Sequence, residues 1–199
     1  MCRLRAKHFE RREIPHPLQR VRNDTLTPFF AQTVRILHAQ SGDTMTSPFM
    51  QRAIELAIES ARSGRGGPFG AVVVKDGRII AEGTNRVTSS NDPSAHAEIV
   101  AIREACRALG TFQLDGCEIY TNCYPCPMCF GAIYWARPDR VYYACTAEDA
   151  AAAGFDDTFI YNELRALPAE RKIEMEPMMR DDALAAFRAW LECPGRVKY

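Results

Sequence analysis

Two short motifs, thirty residues apart, have to meet in the folded chain. His96 and Glu98 lie in the first, Pro93-Ser-Ala-His-Ala-Glu98, and Cys126 and Cys129 in the second, Pro125-Cys-Pro-Met-Cys129. Each motif begins a segment predicted to be helical, where unpaired backbone N–H groups favour a deprotonated thiol. One neutral imidazole and two thiolates form a ligand set typical of zinc, with the fourth tetrahedral position left for water.

Glu98 is the predicted catalytic residue. It lies two residues after His96, near enough to take a proton from the metal's water and pass it on. We therefore expect one Zn²⁺ per subunit, held by His96, Cys126 and Cys129, with water or hydroxide as the fourth ligand. The alternative is a structural zinc site closed by Cys123, but such a site has no use for Glu98.

The order of the predicted elements indicates an α/β fold. A helix is expected after Ser47-Pro48, and two β-rich runs joined by Asp76-Gly77 indicate a hairpin. Helices and strands then alternate, which is typical of a three-layer α/β/α sandwich with a central mixed sheet. The predicted ranges are strands 70–75, 78–81, 117–121 and 140–145, and helices 94–109, 126–136 and 181–192.

Composition excludes several classes of protein. Apolar residues make up 47% of the 199 residues, and no stretch approaches the roughly 18 apolar residues that a membrane span needs. Residues 1–44 hold 8 Lys/Arg against 4 Asp/Glu, whereas residues 45–199 hold 17 against 21. An acidic body disfavours binding of long nucleic acid. The first twenty residues lack the apolar run of a signal peptide, so we expect a cytoplasmic protein with metal-binding cysteines.

Further stretches outside the metal motifs point to one family. They are Gly66-Gly-Pro-Phe-Gly-Ala71, Asn91-Asp-Pro-Ser-Ala-His-Ala-Glu98, Gly131-Ala-Ile-Tyr-Trp-Ala-Arg-Pro138, Ala153-Gly-Phe-Asp-Asp157 and the terminal Tyr199. Together with the cysteine motif, they make residues 46–199 closely resemble the bacterial guanine deaminases of the cytidine deaminase superfamily. The resemblance implies a cytidine deaminase-like sandwich that hydrolyses guanine to xanthine and ammonia.

The resemblance also implies roles for individual residues. Glu98 would carry protons between the metal's water and N3 of the base, while hydroxide attacks C2. Asn85 and the backbone N–H of Ala97 would bind the base, and Asp157 would hydrogen-bond its edge. Phe69 and Trp135 would sandwich the ring. The implied assembly is a homodimer that exchanges the C-terminal segment, about residues 150–199, so that Tyr199 closes the neighbouring subunit's pocket.

Each substrate-binding assignment has a structural alternative when the residues are considered alone. Asp157 could belong to a solvated turn or a helix cap, as could its neighbour Asp156. Phe69 and Trp135 could be core residues. Asn85 could only support its loop, and a tyrosine on a free tail, such as Tyr199, is usually disordered.

The chain departs from the family pattern at two places. Tyr124 stands directly before Pro125, where the family usually has glutamate. The arm of residues 1–44 has no counterpart, and we expect it to be poorly ordered or to result from an upstream start, with the deaminase domain at 45–199. Alternative functions are deamination of guanosine, ammeline or another aminated purine or triazine, editing of adenosine in transfer RNA, and a non-catalytic zinc module.

Overall fold

A four-stranded mixed sheet forms the centre of the part of the chain that the structure describes. The computed structural model describes residues 46–198. The strands are β1 (Gly70–Lys75), β2 (Arg78–Thr84), β3 (Cys117–Cys123) and β4 (Arg140–Cys145), in the order β2-β1-β3-β4. β1 is antiparallel to both of its neighbours, whereas β3 and β4 are parallel. The mixed sheet confirms the predicted α/β fold, although β2 and β3 continue past their predicted ends at residues 81 and 121.

The hairpin between β1 and β2 turns at Asp76 and Gly77. Both residues have positive φ angles, 49° and 71°, as a two-residue type I′ turn requires. The Asp-Gly pair therefore joins the strands where the sequence predicted it.

Both faces of β1 are buried, which explains its uninterrupted apolar sequence. Ala71 and Val73 point to one face of the sheet, and Val72 and Val74 to the other. Helix α1 (Pro48–Ser63) covers the Val72 face. Helices α3 (Ala97–Leu109) and α4 (Pro127–Ala136) cover the Ala71 face. The sheet is thus the middle of three layers, as predicted.

The helix boundaries follow local capping chemistry. Ser47 caps α1 by accepting a hydrogen bond from the Met50 N–H, and Pro48 begins the helix, as predicted. Helix α3 begins at Ala97 and not near Ser94, because the Asp92 carboxylate accepts hydrogen bonds from the N–H and hydroxyl of Ser94 and holds it in a turn. A single-turn helix, α2 (Val87–Ser90), precedes that turn.

The C-terminal part of the described chain is composed of short helices with exposed apolar side chains. They are α5 (Ala147–Ala152), α6 (Thr158–Arg165), a 3₁₀ turn (Pro168–Glu170) and α7 (Arg180–Glu192). None of residues 143–198 is buried in a single chain. On α7, Phe187 is 67% exposed and Trp190 is 41% exposed. Within residues 46–198, no helix has the length and apolarity needed to cross a membrane.

Candidate metal centre and active site

The structure brings the two sequence motifs together at the N-termini of α3 and α4. His96 is the N-cap residue of α3 and Cys126 that of α4, and Cys129 lies in the first turn of α4. Nδ1 of His96 lies 3.5 Å from Sγ of Cys126 and 3.5 Å from Sγ of Cys129. Both sulfur atoms belong to buried residues. Within residues 46–198, these three side chains form the one group whose donor atoms lie close enough together, within 4.8 Å of one another, to hold a metal ion.

The spacing of the donor atoms fits a tetrahedral zinc ion. Zn–N and Zn–S bonds of about 2.0 Å and about 2.3 Å at a tetrahedral angle separate nitrogen from sulfur by about 3.5 Å. Nδ1 of His96 lies at this distance from the sulfur atom of Cys126 and from that of Cys129. Imidazole and thiolate groups also bind zinc in preference to harder cations, which favour oxygen ligands. His96, Cys126 and Cys129 are therefore fit to hold Zn²⁺ and leave one position open.

Electrostatics prepare the thiolate at this site. The hydrogen bond from Cys129, together with the nearby His96, lowers the pKa of Cys126 to about 4. Hydrogen bonding to Cys126 in turn raises the pKa of His96, and the same sulfur–sulfur contact followed by burial raises the pKa of Cys129. A cation that binds here replaces these protons, because ligands bind metal in their deprotonated form.

Cys123 lies apart from the three ligands. Its thiol donates a hydrogen bond to the backbone carbonyl of Thr146 at 3.4 Å. Burial raises the pKa of Cys123 to about 11, and its sulfur does not belong to the group of donor atoms within 4.8 Å of one another that His96, Cys126 and Cys129 form. The described residues therefore give no support to the alternative in which Cys123 closes a four-ligand structural zinc site.

Glu98 lies directly beside the donor atoms. It occupies the first turn of α3, and its Oε2 is 3.5 Å from Sγ of Cys129. Glu98 is buried, and burial is the main cause that raises the pKa of its carboxyl. A buried carboxyl that borders both a metal position and an open cavity is suited to moving protons.

A cavity of about 210 Å³ opens next to the donor atoms. Five of the predicted site residues line this cavity: His96, Glu98, Cys126, Asn85 and Phe69. The remaining lining residues were not predicted as site residues: Gly67, Val87, Thr88, Tyr124 and Phe155. A planar heterocycle of one or two rings is the class of ligand that such a cavity accommodates.

Asn85 both supports its loop and faces the cavity. Its Oδ1 accepts hydrogen bonds from the N–H groups of Gly67 and Val87, each at 3.2 Å. Because the amide oxygen is used by the backbone, the NH₂ group is the end that remains for a ligand. Asn85 can therefore donate to an acceptor atom of a bound base, and its structural and ligand-binding roles are compatible.

Aromatic rings form two walls of the cavity. Phe69 packs edge-on against Phe155, with ring centroids 4.9 Å apart. Tyr124 packs in the same way against Tyr143, at 5.0 Å. Sequence reasoning identified Phe69 and noted Tyr124 as a departure, but it gave no role to Phe155. The Gly-Phe-Asp-Asp run containing Phe155 was a signal that could have indicated it.

Asp157 lies near the site, and its neighbour provides the local turn. The Asp156 carboxylate accepts a hydrogen bond from the Thr158 N–H at 2.8 Å, whereas the side chain of Asp157 does not cap helix α6. Burial, followed by the nearby Cys126, raises the pKa of Asp157. Tyr161, which was not predicted, has its pKa raised by burial and then by Tyr124 and Asp157.

Two of the predicted substrate-binding residues, Ala97 and Trp135, are not among the residues that line the cavity. Ala97 is fully buried at the first position of α3, where a backbone N–H has no acceptor within the helix. Trp135 is 63% exposed and borders an apolar cleft with Phe112 on the outer side of α3 and α4, away from the lining of the cavity. Tyr199 and the arm of residues 1–44 lie outside the described residues.

Comparison with known proteins agrees with this site. Residues 44–145 match the family model described as the cytidine and deoxycytidylate deaminase zinc-binding region. The guanine deaminase of Bacillus subtilis is 56% identical over 151 residues, which cover 76% of this chain and 97% of that protein. The X-ray structure of a guanine deaminase from Bacillus subtilis superposes with a TM-score of 0.74, covering 76% of this chain and 96% of the other.

A second group of relatives matches over a shorter span. The tRNA-specific adenosine deaminase of Agrobacterium fabrum is 50% identical over 93 residues, or 45% of this chain and 61% of that protein. Both relatives are deaminases, and the region of the family model contains both metal motifs of this chain. This chain belongs to the cytidine and deoxycytidylate deaminase family of zinc-binding proteins.

Proposed function

We propose that the protein is a guanine deaminase, which hydrolyses guanine to xanthine and ammonia. The observation that carries the proposal is the buried carboxyl of Glu98 between a three-donor zinc site and a cavity of about 210 Å³. A relative named guanine deaminase, 56% identical over nearly its whole length, supports guanine as the substrate.

Glu98 moves the protons of the reaction in this proposal. Zinc, when bound by His96, Cys126 and Cys129, supplies Lewis-acid activation of water. Glu98 takes a proton from the water that attacks C2 of guanine and delivers it to ring N3. The same carboxyl then takes the proton of the hydroxyl now on C2 and passes it to the amino group, so that the C2–N bond breaks, ammonia leaves and C2=O forms.

Hydrogen-bonding groups around the cavity hold the base in this proposal. The NH₂ group of Asn85 and the backbone N–H of Ala97 donate to acceptor atoms of guanine. Asp157 accepts from the donor edge of the base, and Phe69 packs on one face of the ring. This pattern suits guanine, which presents both donors and acceptors along its edges.

Ammonia release from separate substrates tests the proposal. The zinc-loaded protein is given guanine, guanosine, ammeline, adenine or cytosine, and Glu98→Gln is the blank. We expect guanine to be consumed fastest, and we expect Glu98→Gln to keep zinc and lose about 10²-fold to 10⁴-fold in turnover because only the proton carrier is changed. An active Glu98→Gln protein would refute the role of Glu98. If the protein preferred another base, that base would replace guanine as the assigned substrate. If it bound a full complement of zinc and turned over none of the bases, a non-catalytic zinc module would be favoured.

A separate assay with transfer RNA as the substrate tests editing of adenosine. The relatives with that activity in their names match only part of this chain, which is the observation that keeps this candidate second. Salt-sensitive binding of RNA with deamination of adenosine would favour it over guanine.

We also infer a homodimer in which the C-terminal segment is exchanged. Phe155 and Asp157 lie at the site of their own chain, so the exchanged part is the segment that follows Asp157. Support comes from the exposed apolar side chains on α6 and α7, which need a cover. In such a dimer, Tyr199 closes the neighbouring subunit's pocket. Trp135 lies outside its own cavity, so its place in a ring sandwich also requires a second subunit. Thiolate ligands are consistent with a reducing cytoplasm as the site of action.

Complementation between two inactive variants tests the exchange. One variant carries Glu98→Gln with an intact tail, and the other carries Glu98 but lacks the last four residues. Coexpression should restore about a quarter of the wild-type turnover per site, because half of the dimers are mixed and each has one complete site. No restored activity in a protein shown to be dimeric by light scattering would refute the exchange.

A further inference from the structure

The rim of the cavity contains an aromatic side chain that the proposed mechanism does not use. Tyr124 follows the last residue of β3, and its backbone N–H donates to the carbonyl of Cys145 at 2.9 Å. Its ring lines the cavity. Tyr143, on β4, lies behind this ring with an interplanar angle of 90°. The main-chain hydrogen bond thus positions the backbone of Tyr124, and the ring of Tyr143 packs against its side chain at the cavity.

Burial distinguishes a floor and a rim in the cavity. Glu98 and Cys126 form the floor, since both are buried. Tyr124 is 36% exposed and Phe155 is 41% exposed, which places them at the rim. A base that is deaminated has to place its amino-bearing carbon at the floor, next to the proton carrier. The part of the base furthest from that carbon therefore reaches the rim.

We propose that Tyr124 determines specificity by contacting the far ring of the substrate and thereby selecting two-ring bases over one-ring bases. This inference rests on the proposed function and deepens it by assigning a selecting residue. Every nucleobase has a π-face, so an aromatic side chain can add binding energy without hydrogen bonds. A one-ring base with the same reacting amidine occupies only the floor and gains nothing from the Tyr124 ring.

Paired substrates test this role. Guanine is compared with isocytosine, which is the six-membered ring of guanine without the five-membered ring. The measured quantity is the ratio of kcat/KM for guanine to that for isocytosine. We expect Tyr124→Ala to lower this ratio about tenfold, within the range for an aromatic ring against a base, through a higher KM for guanine. Tyr124→Phe should keep the ratio within about twofold, because the ring and not the hydroxyl makes the contact.

The control and the opposing results separate specificity from structural damage. Ile79→Ala changes a side chain on β2 that is 37% exposed, against 36% for Tyr124, and should leave the ratio unchanged. Tyr124→Leu should also lower the ratio and serves if the alanine variant fails to fold, as judged by its melting temperature and zinc content. If the wild type deaminates guanine but Tyr124→Ala leaves the ratio of the two kcat/KM values unchanged, whether or not both values fall, this inference alone would be overturned. A wild type that leaves guanine intact would overturn the proposed function and this inference with it.

Discussion

Substituting Gly83 by alanine should displace the helix that carries His96 and Glu98. Gly83 lies on β2 directly beneath the start of α3. A Cβ at this position would lie 2.1 Å from the carbonyl oxygen of Ala97 and 2.6 Å from the backbone N of Ala101, whereas real Cβ contacts essentially never fall below 3.0 Å. Both contacts are with backbone atoms, so no side-chain rotation relieves them. The first turn of α3 has to move away from the sheet by about 1 Å.

A displacement of this size is costly for catalysis. A shift of about 1 Å in a positioned group can lower turnover by about 10²-fold. Inserting a methyl group into a packed interface costs about 1 to 3 kcal/mol of stability. We therefore expect Gly83→Ala to fold with a lower melting temperature, to bind zinc more weakly and to turn over about 10²-fold more slowly.

Gly70→Ala is the matched control. Its Cβ would lie 2.3 Å from the carbonyl oxygen of Ala53, on the face of the sheet covered by α1. That helix carries no zinc ligand, so this variant should lose similar stability and keep its zinc affinity. Both variants are assayed by thermal unfolding, by zinc release to a chelator and by ammonia release. If Gly83→Ala retained wild-type zinc affinity and turnover, the reasoning that the β2 glycine sets the position of α3 would be refuted.

Three further perturbations have expected outcomes. Removing zinc with a chelator should lower the melting temperature by about 5–10 °C, because a ligand at about 100 times its Kd contributes about 2.7 kcal/mol; a calorimetric scan checks this. Glu82 accepts two hydrogen bonds from the Arg52 guanidinium, at 2.8 and 2.9 Å; Glu82→Gln removes its negative charge and one of the two acceptor oxygens and should cost about 0.5 kcal/mol at pH 7. Since Arg52 lowers the pKa of Glu82, that contribution is present above the unfolded value of 4.5 and is lost as the pH falls through the lower folded value, so denaturant unfolding at pH 7 and pH 4 should show a shrinking difference from wild type. Asp157→Asn replaces an acceptor by a donor at the edge of the base and should raise the KM for guanine about tenfold, with zinc content unchanged; an unaltered KM would remove Asp157 from binding.

Features determined by local chemistry were predictable from the sequence. The turn at Asp76 and Gly77 needs two positive φ angles, and the Asp-Gly pair adopts them at low cost. The uninterrupted apolar run of β1 requires a helix layer on each face, and the structure has both. The zinc ligands were predictable because few residue types bind this metal and their spacing on a helix end is fixed.

Features determined by the packing of distant segments were not predictable in the same way. Helix α3 starts at Ala97 and not at Ser94 because the hydrogen bonds that Ser94 donates to the Asp92 carboxylate compete with the helix. Phe155 reaches the cavity because the chain after β4 returns to the site, and only its place in the Gly-Phe-Asp-Asp run indicates that in the sequence. Trp135 is of a residue type that can stack on a base, but its position on α4 directs it away from the cavity of its own chain.

The positions of His96 and Cys126 link metal loading to local unfolding. Both are N-cap residues whose side chains make no capping hydrogen bond, so α3 and α4 each lack a stabilisation of about 1 kcal/mol that a serine or aspartate would give. A metal held by both side chains ties the two helix ends together in place of ordinary caps. Without it, the first turns of both helices should fray together, and their amide protons should exchange with solvent ahead of those in the sheet. Amide exchange at two helix ends far apart in sequence would then report the occupancy of a single ion.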